Sequence, residues 1–129
     1  MMQMQQRSTF DDVLTALKRL AAKPLDAATA PPKAIYTLPE MTAHEMDRIF
    51  ATEWLCAGRA DEVPNPGDYM AFECGDQPLI IIRGMDGSIS ARSNICRHRM
   101  MRLVEGRGNA RKFTCPYHAW TYNLDGQLV

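Results

Sequence analysis

Asn94-Ile95-Cys96-Arg97-His98-Arg99 and Cys115-Pro116-Tyr117-His118-Ala119-Trp120 are the two stretches on which the fold turns. Each sets one thiol and one imidazole within a few residues of each other, and sixteen residues separate His98 from Cys115. Donors that close in sequence share a short loop, so two loops together offer two thiolates and two imidazoles. Gly106-Arg107-Gly108-Asn109, between the pairs, reads as the loop tip that separates them.

Outward from these loops the pattern is one of short strands. Trp54-Leu55-Cys56-Ala57, Tyr69-Met70-Ala71-Phe72, Leu79-Ile80-Ile81-Ile82 and Ser88-Ile89-Ser90-Ala91 are apolar or alternating runs bounded by turn residues. Asp86-Gly87 and Asp125-Gly126 read as two-residue type I′ hairpin turns, and both donor pairs lie between them. On the N-terminal side, Phe10, Val13, Leu14, Leu17 and Leu20 recur at helical spacing behind Ser8 or Thr9 as cap. An Ala- and Pro-rich stretch over residues 21–34 follows as an extended linker. Thr42-Ala43-His44-Glu45 matches a capping box, with Met46, Ile49 and Phe50 as the buried stripe of a second short helix. The expected fold class is therefore mostly β: antiparallel sheets carrying the two donor loops, preceded by two N-terminal helices. Residues 1–35 are expected as a helical arm and linker, and residues 36–129 as the β domain.

The composition narrows the classes. A chain of 129 residues with 46% hydrophobic content has room for one domain with a modest core. Fifteen Lys and Arg balance fifteen Asp and Glu, so no overall field points to nucleic acid or to an anionic membrane. No apolar h-region opens the chain and no run is long enough to span a bilayer, so a cytoplasmic protein is expected. Of the four Cys, Cys56 and Cys74 stand apart from any His and are expected as buried free thiols.

Two thiolates and two imidazoles suit either a tetrahedral zinc or an iron–sulfur centre in which one iron keeps two Cys and the other takes two His. Zinc sites usually space Cys with Cys and His with His, whereas here each pair mixes the two. Replacing two thiolates by neutral imidazoles brings the oxidised [2Fe-2S] unit to about zero charge, against about minus two with four thiolates. An added electron then costs less, which places such centres at roughly −150 to +300 mV.

The two quoted stretches, with Arg83-Gly84-Met85-Asp86-Gly87 and Tyr122-Asn123-Leu124-Asp125-Gly126 around them, resemble the Rieske domain of aromatic-ring-hydroxylating oxygenase α subunits over about Trp54 to Val129. The resemblance implies a Rieske-type [2Fe-2S] cluster with Cys96 and Cys115 on one iron and His98 and His118 on the other. Arg97, Trp120 and Tyr122 are expected near the cluster: Trp120, two residues past His118, packed over it or plain core, Tyr122 in contact with a sulfur, and Arg97, with Arg99, Arg102, Arg107, Arg111 and Lys112, bracing the loops or docking an acidic electron donor. That family often has Gly where Met100 and Ala119 stand, so a backbone needing positive φ at either position would carry strain. The respiratory branch ties its two loops with a disulfide and donates to sulfur from a Ser. Met101, Tyr117 and Trp120 occupy those three positions here, which implies a potential at the low end of the range.

The same resemblance implies a further catalytic domain whose iron is held by two His and a carboxylate. Apart from the cluster pair only His44 remains, and in its helix it is expected to be solvated or capping, so this chain alone should not hydroxylate a substrate. The reading is an electron-relay part of an oxygenase α subunit with an incomplete C-terminal end, its last strand short or unpaired. The implied partners are an NAD(P)H-dependent reductase or a ferredoxin as electron donor and the other oxygenase subunits, a trimer in the full-length enzyme. A stand-alone Rieske-type ferredoxin is the alternative, and a colourless structural zinc module a third. Aromatic acids and quaternary amines both remain open as substrates.

Overall fold

A computed structural model describes residues 8–129. They fall into two compact units, the first ending at Glu53 and the second running Trp54–Val129.

In the first unit, α1 spans Phe10–Ala21 and is capped by Thr9: Thr9 Oγ1 accepts the Asp12 N–H at 3.3 Å, and Asp12 Oδ2 takes the Thr9 N–H at 2.9 Å. Helix α2 covers Pro39–Glu45, one turn earlier than the Thr42 capping box suggests. Pro39 supplies the pre-set φ of a first helical position, so Thr42 lies inside the helix and His44 in its last turn. There His44 meets the Phe10 ring edge-on, with centroids 5.2 Å apart. The chain continues through a wider π turn over Met46–Phe50. The extra residue rotates the face, so Ile49 and Phe50, expected in a buried stripe, are exposed, while Met41 is buried.

In the second unit, β1 (Asp68–Cys74), β2 (Gln77–Arg83), β3 (Ile89–Ser93) and β4 (Arg107–Asn109) form an antiparallel sheet in the order β3-β2-β1-β4. A separate antiparallel pair joins β5 (Lys112–Thr114) to β6 (Thr121–Asn123), and Leu128 bridges back to Tyr122. Strand β2 is buried on both faces, which is why its sequence is a continuous apolar run. Ile80 and Ile82 pack with Phe113 and Leu124 on one side, and Ile81 with Val63 and Met70 on the other.

Several sequence expectations change here. Trp54-Leu55-Cys56-Ala57 forms no strand, and Trp54 and Cys56 are exposed, so strand-like composition is not matched here by pairing. Cys74 ends β1 at the hairpin and is only half-buried. The segment expected as a loop tip contains β4, drawn onto β1 by the register Tyr69↔Gly108, where any Cβ on Gly108 would meet the Tyr69 ring at 3.0 Å. Asp86 and Asp125 do not take positive φ, so neither turn is type I′. Each instead closes on a glycine at φ 83°, with Gly87 N–H donating to Gly84 O and Gly126 N–H to Asn123 O, both at 3.0 Å.

The two donor loops are tips of ladders: Cys96–Met101 follows the Ile95↔Arg102 bridge, and Cys115–Trp120 joins β5 to β6. They share one backbone. Cys96 N–H donates to Met101 O (2.8 Å) and Met100 N–H to Cys96 O (2.9 Å); Cys115 N–H donates to Trp120 O (2.8 Å) and Ala119 N–H to Cys115 O (3.0 Å). The penultimate residue of each loop must turn left-handed, and Met100 (φ 57°) and Ala119 (φ 58°) are the two non-glycine residues with positive φ among those described. A Cβ in that region costs roughly 1–2 kcal/mol.

Asn94 anchors the first loop. It is 1% exposed; its Oδ1 accepts the N–H groups of Leu103 (3.2 Å) and Val104 (3.1 Å), and its Nδ2 donates to Val104 O at 2.8 Å. One side chain thus stands in for a missing strand partner across the loop.

Met100→Gly and Ala119→Gly should each stabilise the protein by about 1 kcal/mol, because glycine adopts positive φ without the Cβ clash; an unchanged or lower melting midpoint would contradict the strain. Asn94→Ala should destabilise it by about 2–3 kcal/mol through orphaned backbone groups, with amide exchange at Leu103 and Val104 rising first.

Candidate metal centre

The shared loop backbone turns the two cysteines inward and leaves the two histidines outward. Cys96 (0% exposed) and Cys115 (3%) cluster with buried Tyr122 under Leu103. His98 and His118 are exposed, their ring centroids 4.7 Å apart at 65°. All four candidate ligands therefore come together, as a buried thiol pair and a surface imidazole pair.

Tyr122, the middle residue of β6, reaches the thiol pair from below. Its hydroxyl lies 3.4 Å from Cys96 Sγ and accepts the backbone N–H of Arg97 at 3.1 Å. With that N–H occupying the oxygen, the phenolic proton is free to point at sulfur. The contact pulls the Cys96 thiol below its ordinary range, against burial, and the backbone N–H groups of His98 and Arg99 and the Cys115 side chain act in the same direction. The Tyr122 hydroxyl is pushed up in turn, first by Cys96 and then by burial. Of Arg97, it is the backbone that serves the site; its side chain is exposed.

Aromatic rings flank the imidazoles. Trp120 stacks on His98 at 4.9 Å, nearly parallel at 8°, and is 38% exposed, so it covers an imidazole at the surface and is not a core residue. Tyr117 lies against His118 at 3.7 Å and 36°. Arg99 crosses from the first loop, its guanidinium 5.6 Å from the Tyr117 ring centroid and Nη1 donating to Tyr117 Oη at 3.4 Å. Of the other basic residues near the ligands in sequence, Arg102 pairs with Glu73 and Arg107 with Glu62, so these two brace strands. Arg97 and Arg99 make no ion pair among the described residues.

Sequence reasoning had missed two roles: Asn94 as loop anchor and Arg99 as a bridge between the loops. The first had a signal, since an Asn two positions before a loop ligand is the residue type that imitates backbone hydrogen bonding. The second had none, because it depends on which way two loops face.

The donor set fits a [2Fe-2S] group. Among the described residues no three His, Cys, Asp or Glu side chains are grouped to hold a single metal ion. Two pairs of opposite chemical type, anionic sulfur inside and neutral nitrogen outside, suit a binuclear unit gripped at its two ends.

The pattern that defines the Rieske [2Fe-2S] domain family matches residues 53–129. The chain is 41% identical over 126 residues to the glycine betaine monooxygenase oxygenase subunit of Chromohalobacter salexigens, covering 95% of this chain and 28% of that protein. Among solved structures, an apo quaternary ammonium Rieske monooxygenase superposes with a TM-score of 0.76 at 41% identity over 81% of this chain and 31% of that one. Naphthalene 1,2-dioxygenase from Rhodococcus sp. does so at 0.80 and 34% identity over 94% of this chain and 27% of that one. The chain spans less than a third of each of these proteins. No helix among the described residues is long and apolar enough to cross a membrane. The chain belongs to the Rieske [2Fe-2S] domain family, as the Rieske domain of the oxygenase α-subunit type, and its cofactor is a [2Fe-2S] cluster.

Proposed function

We propose that this chain is the electron-relay part of a Rieske oxygenase α subunit, with Cys96 and Cys115 holding one iron and His98 and His118 the other. The observation that carries the reading is the polarity of the donor set: thiols buried beside Tyr122, imidazoles exposed at the rim. Bound there, the cluster supplies one-electron acceptance and release at moderate potential. Cys96 and Cys115 keep the sulfur-rich end away from water. His98 and His118 present the nitrogen-ligated end to a partner, giving the shortest path for an electron between proteins. Tyr122 donates to Cys96 Sγ and so favours the more negative, reduced state. With Trp120 at the surface and no hydroxyl in its place, that donor set supports a potential low in the Rieske range.

The donor of electrons is an NAD(P)H-dependent reductase or a ferredoxin, and the uncompensated charge of Arg97 and Arg99 around His98 suits an acidic docking face. The acceptor is an oxygenase iron in a neighbouring subunit; one solved relative is described in terms of inter-subunit electron transfer. The likeness to naphthalene dioxygenase extends over the helical lead-in, which favours an oxygenase part over a stand-alone ferredoxin. Quaternary amines and aromatic rings are both candidate substrate classes for the whole enzyme, since relatives at 41% identity are named for glycine betaine and carnitine and one at 42% for benzene.

His118→Ala should abolish the reduced-state Rieske EPR signal of the loaded protein; a retained signal would reject the ligand assignment. Tyr122→Phe should keep the signal and lower the midpoint potential by roughly tens of millivolts, the net worth of about one hydrogen bond in a one-electron couple. An unchanged or higher potential in a redox titration would remove Tyr122 from the tuning of the centre.

A further inference from the structure

The two donor loops touch across their outer face through one polar contact, and it does not involve a ligand directly. Arg99 follows His98 in the first loop; Tyr117 precedes His118 in the second. Arg99 places its guanidinium over the Tyr117 ring at 5.6 Å and donates to its hydroxyl at 3.4 Å, while the same ring lies 3.7 Å from the His118 imidazole. Tyr117 is 53% exposed and packs in no core, so burial does not fix its ring. Among the described residues no carboxylate competes for Arg99.

From this geometry we infer that Arg99 is a positioning residue for His118: by holding the Tyr117 ring, it sets the plane of the imidazole carried by the opposite loop. The inference rests on the reading of His118 as a ligand. Each imidazole then has an aromatic plate from the second loop, Trp120 on His98 and Tyr117 on His118, and the Tyr117 plate is also met by Arg99 of the first loop. A guanidinium suits the task because it is planar, always charged, and able to stack and donate at once. The ring angles differ: Trp120 lies flat on His98 at 8°, whereas Tyr117, in contact with Arg99, is tilted at 36° to His118.

The test uses the full cluster-loaded chain and two readouts, the g values of the reduced cluster and the rate at which an iron chelator bleaches its visible absorbance. Arg99→Met and Tyr117→Leu should each shift the g values and speed bleaching about two- to fivefold, the worth of one exposed cation–π contact. The double variant should bleach no faster than Tyr117→Leu alone, because Arg99 acts through that ring. Tyr117→Phe keeps the ring and should stay near the parent, and Arg99→Lys should recover part of the loss. Additive effects in the double variant, or unchanged g values and rates in Arg99→Met, would overturn the inference. That failure is separable from failure of the ligand reading, which His118→Ala tests alone: a lost signal there with an unaffected Arg99→Met rejects only the role of Arg99.

Discussion

The hydrogen bond from Cys96 N–H to Met101 O, repeated as Cys115 N–H to Trp120 O, is the constraint on which the rest of the second unit depends. It closes each donor loop into a tight turn whose first residue faces inward and whose third or fourth faces out. Thiol and imidazole are thereby sent in opposite directions by the same backbone. The closure needs a left-handed residue just before its end, and both loops meet that need with a side chain present. A local cost is therefore built into the site, and it is met by the packing and hydrogen bonding of the ladders that flank each loop.

Much of this was legible in the residues. The donor spacing pointed to the [2Fe-2S] cofactor, the apolar and alternating runs marked β1, β2 and β3, and the absence of glycine at Met100 and Ala119 was readable as strain if the backbone proved left-handed there, which it does. The failures share a cause. Trp54-Leu55-Cys56-Ala57 has strand composition but pairs with no strand, and Gly106-Arg107-Gly108-Asn109 has turn composition yet lies along β1, where Gly108 leaves room for the Tyr69 ring. Pairing is decided by the neighbouring strand, which local composition does not contain. In the first unit the helix starts at Pro39, whose fixed φ suits a first helical position, so the Thr42 capping pattern falls inside the helix.

Electrostatics in the site is local. The chain is neutral overall, and two of the arginines near the ligands are spent on Glu73 and Glu62, where they brace β1 and β4. What acts on the sulfurs is short range: the Tyr122 hydroxyl and the backbone N–H groups of the first loop. These dipoles are fixed by the fold and already point at the sulfur, so little reorganisation accompanies negative charge there. The exposed imidazole half, by contrast, meets water or a partner.

The core beneath the loops has a dimensional role as well as a cohesive one. One loop is fed by the large sheet and the other is the tip of the small one, and the two sheets meet through Ile80, Ile82, Phe113 and Leu124. Protein interiors are packed about as densely as organic crystals and yield little to compression. These four side chains therefore act as a spacer of set thickness between the sheets that carry the two donor loops. A methylene added or removed at Phe113 or Ile82 would be felt as a change in how far apart those sheets hold their loops.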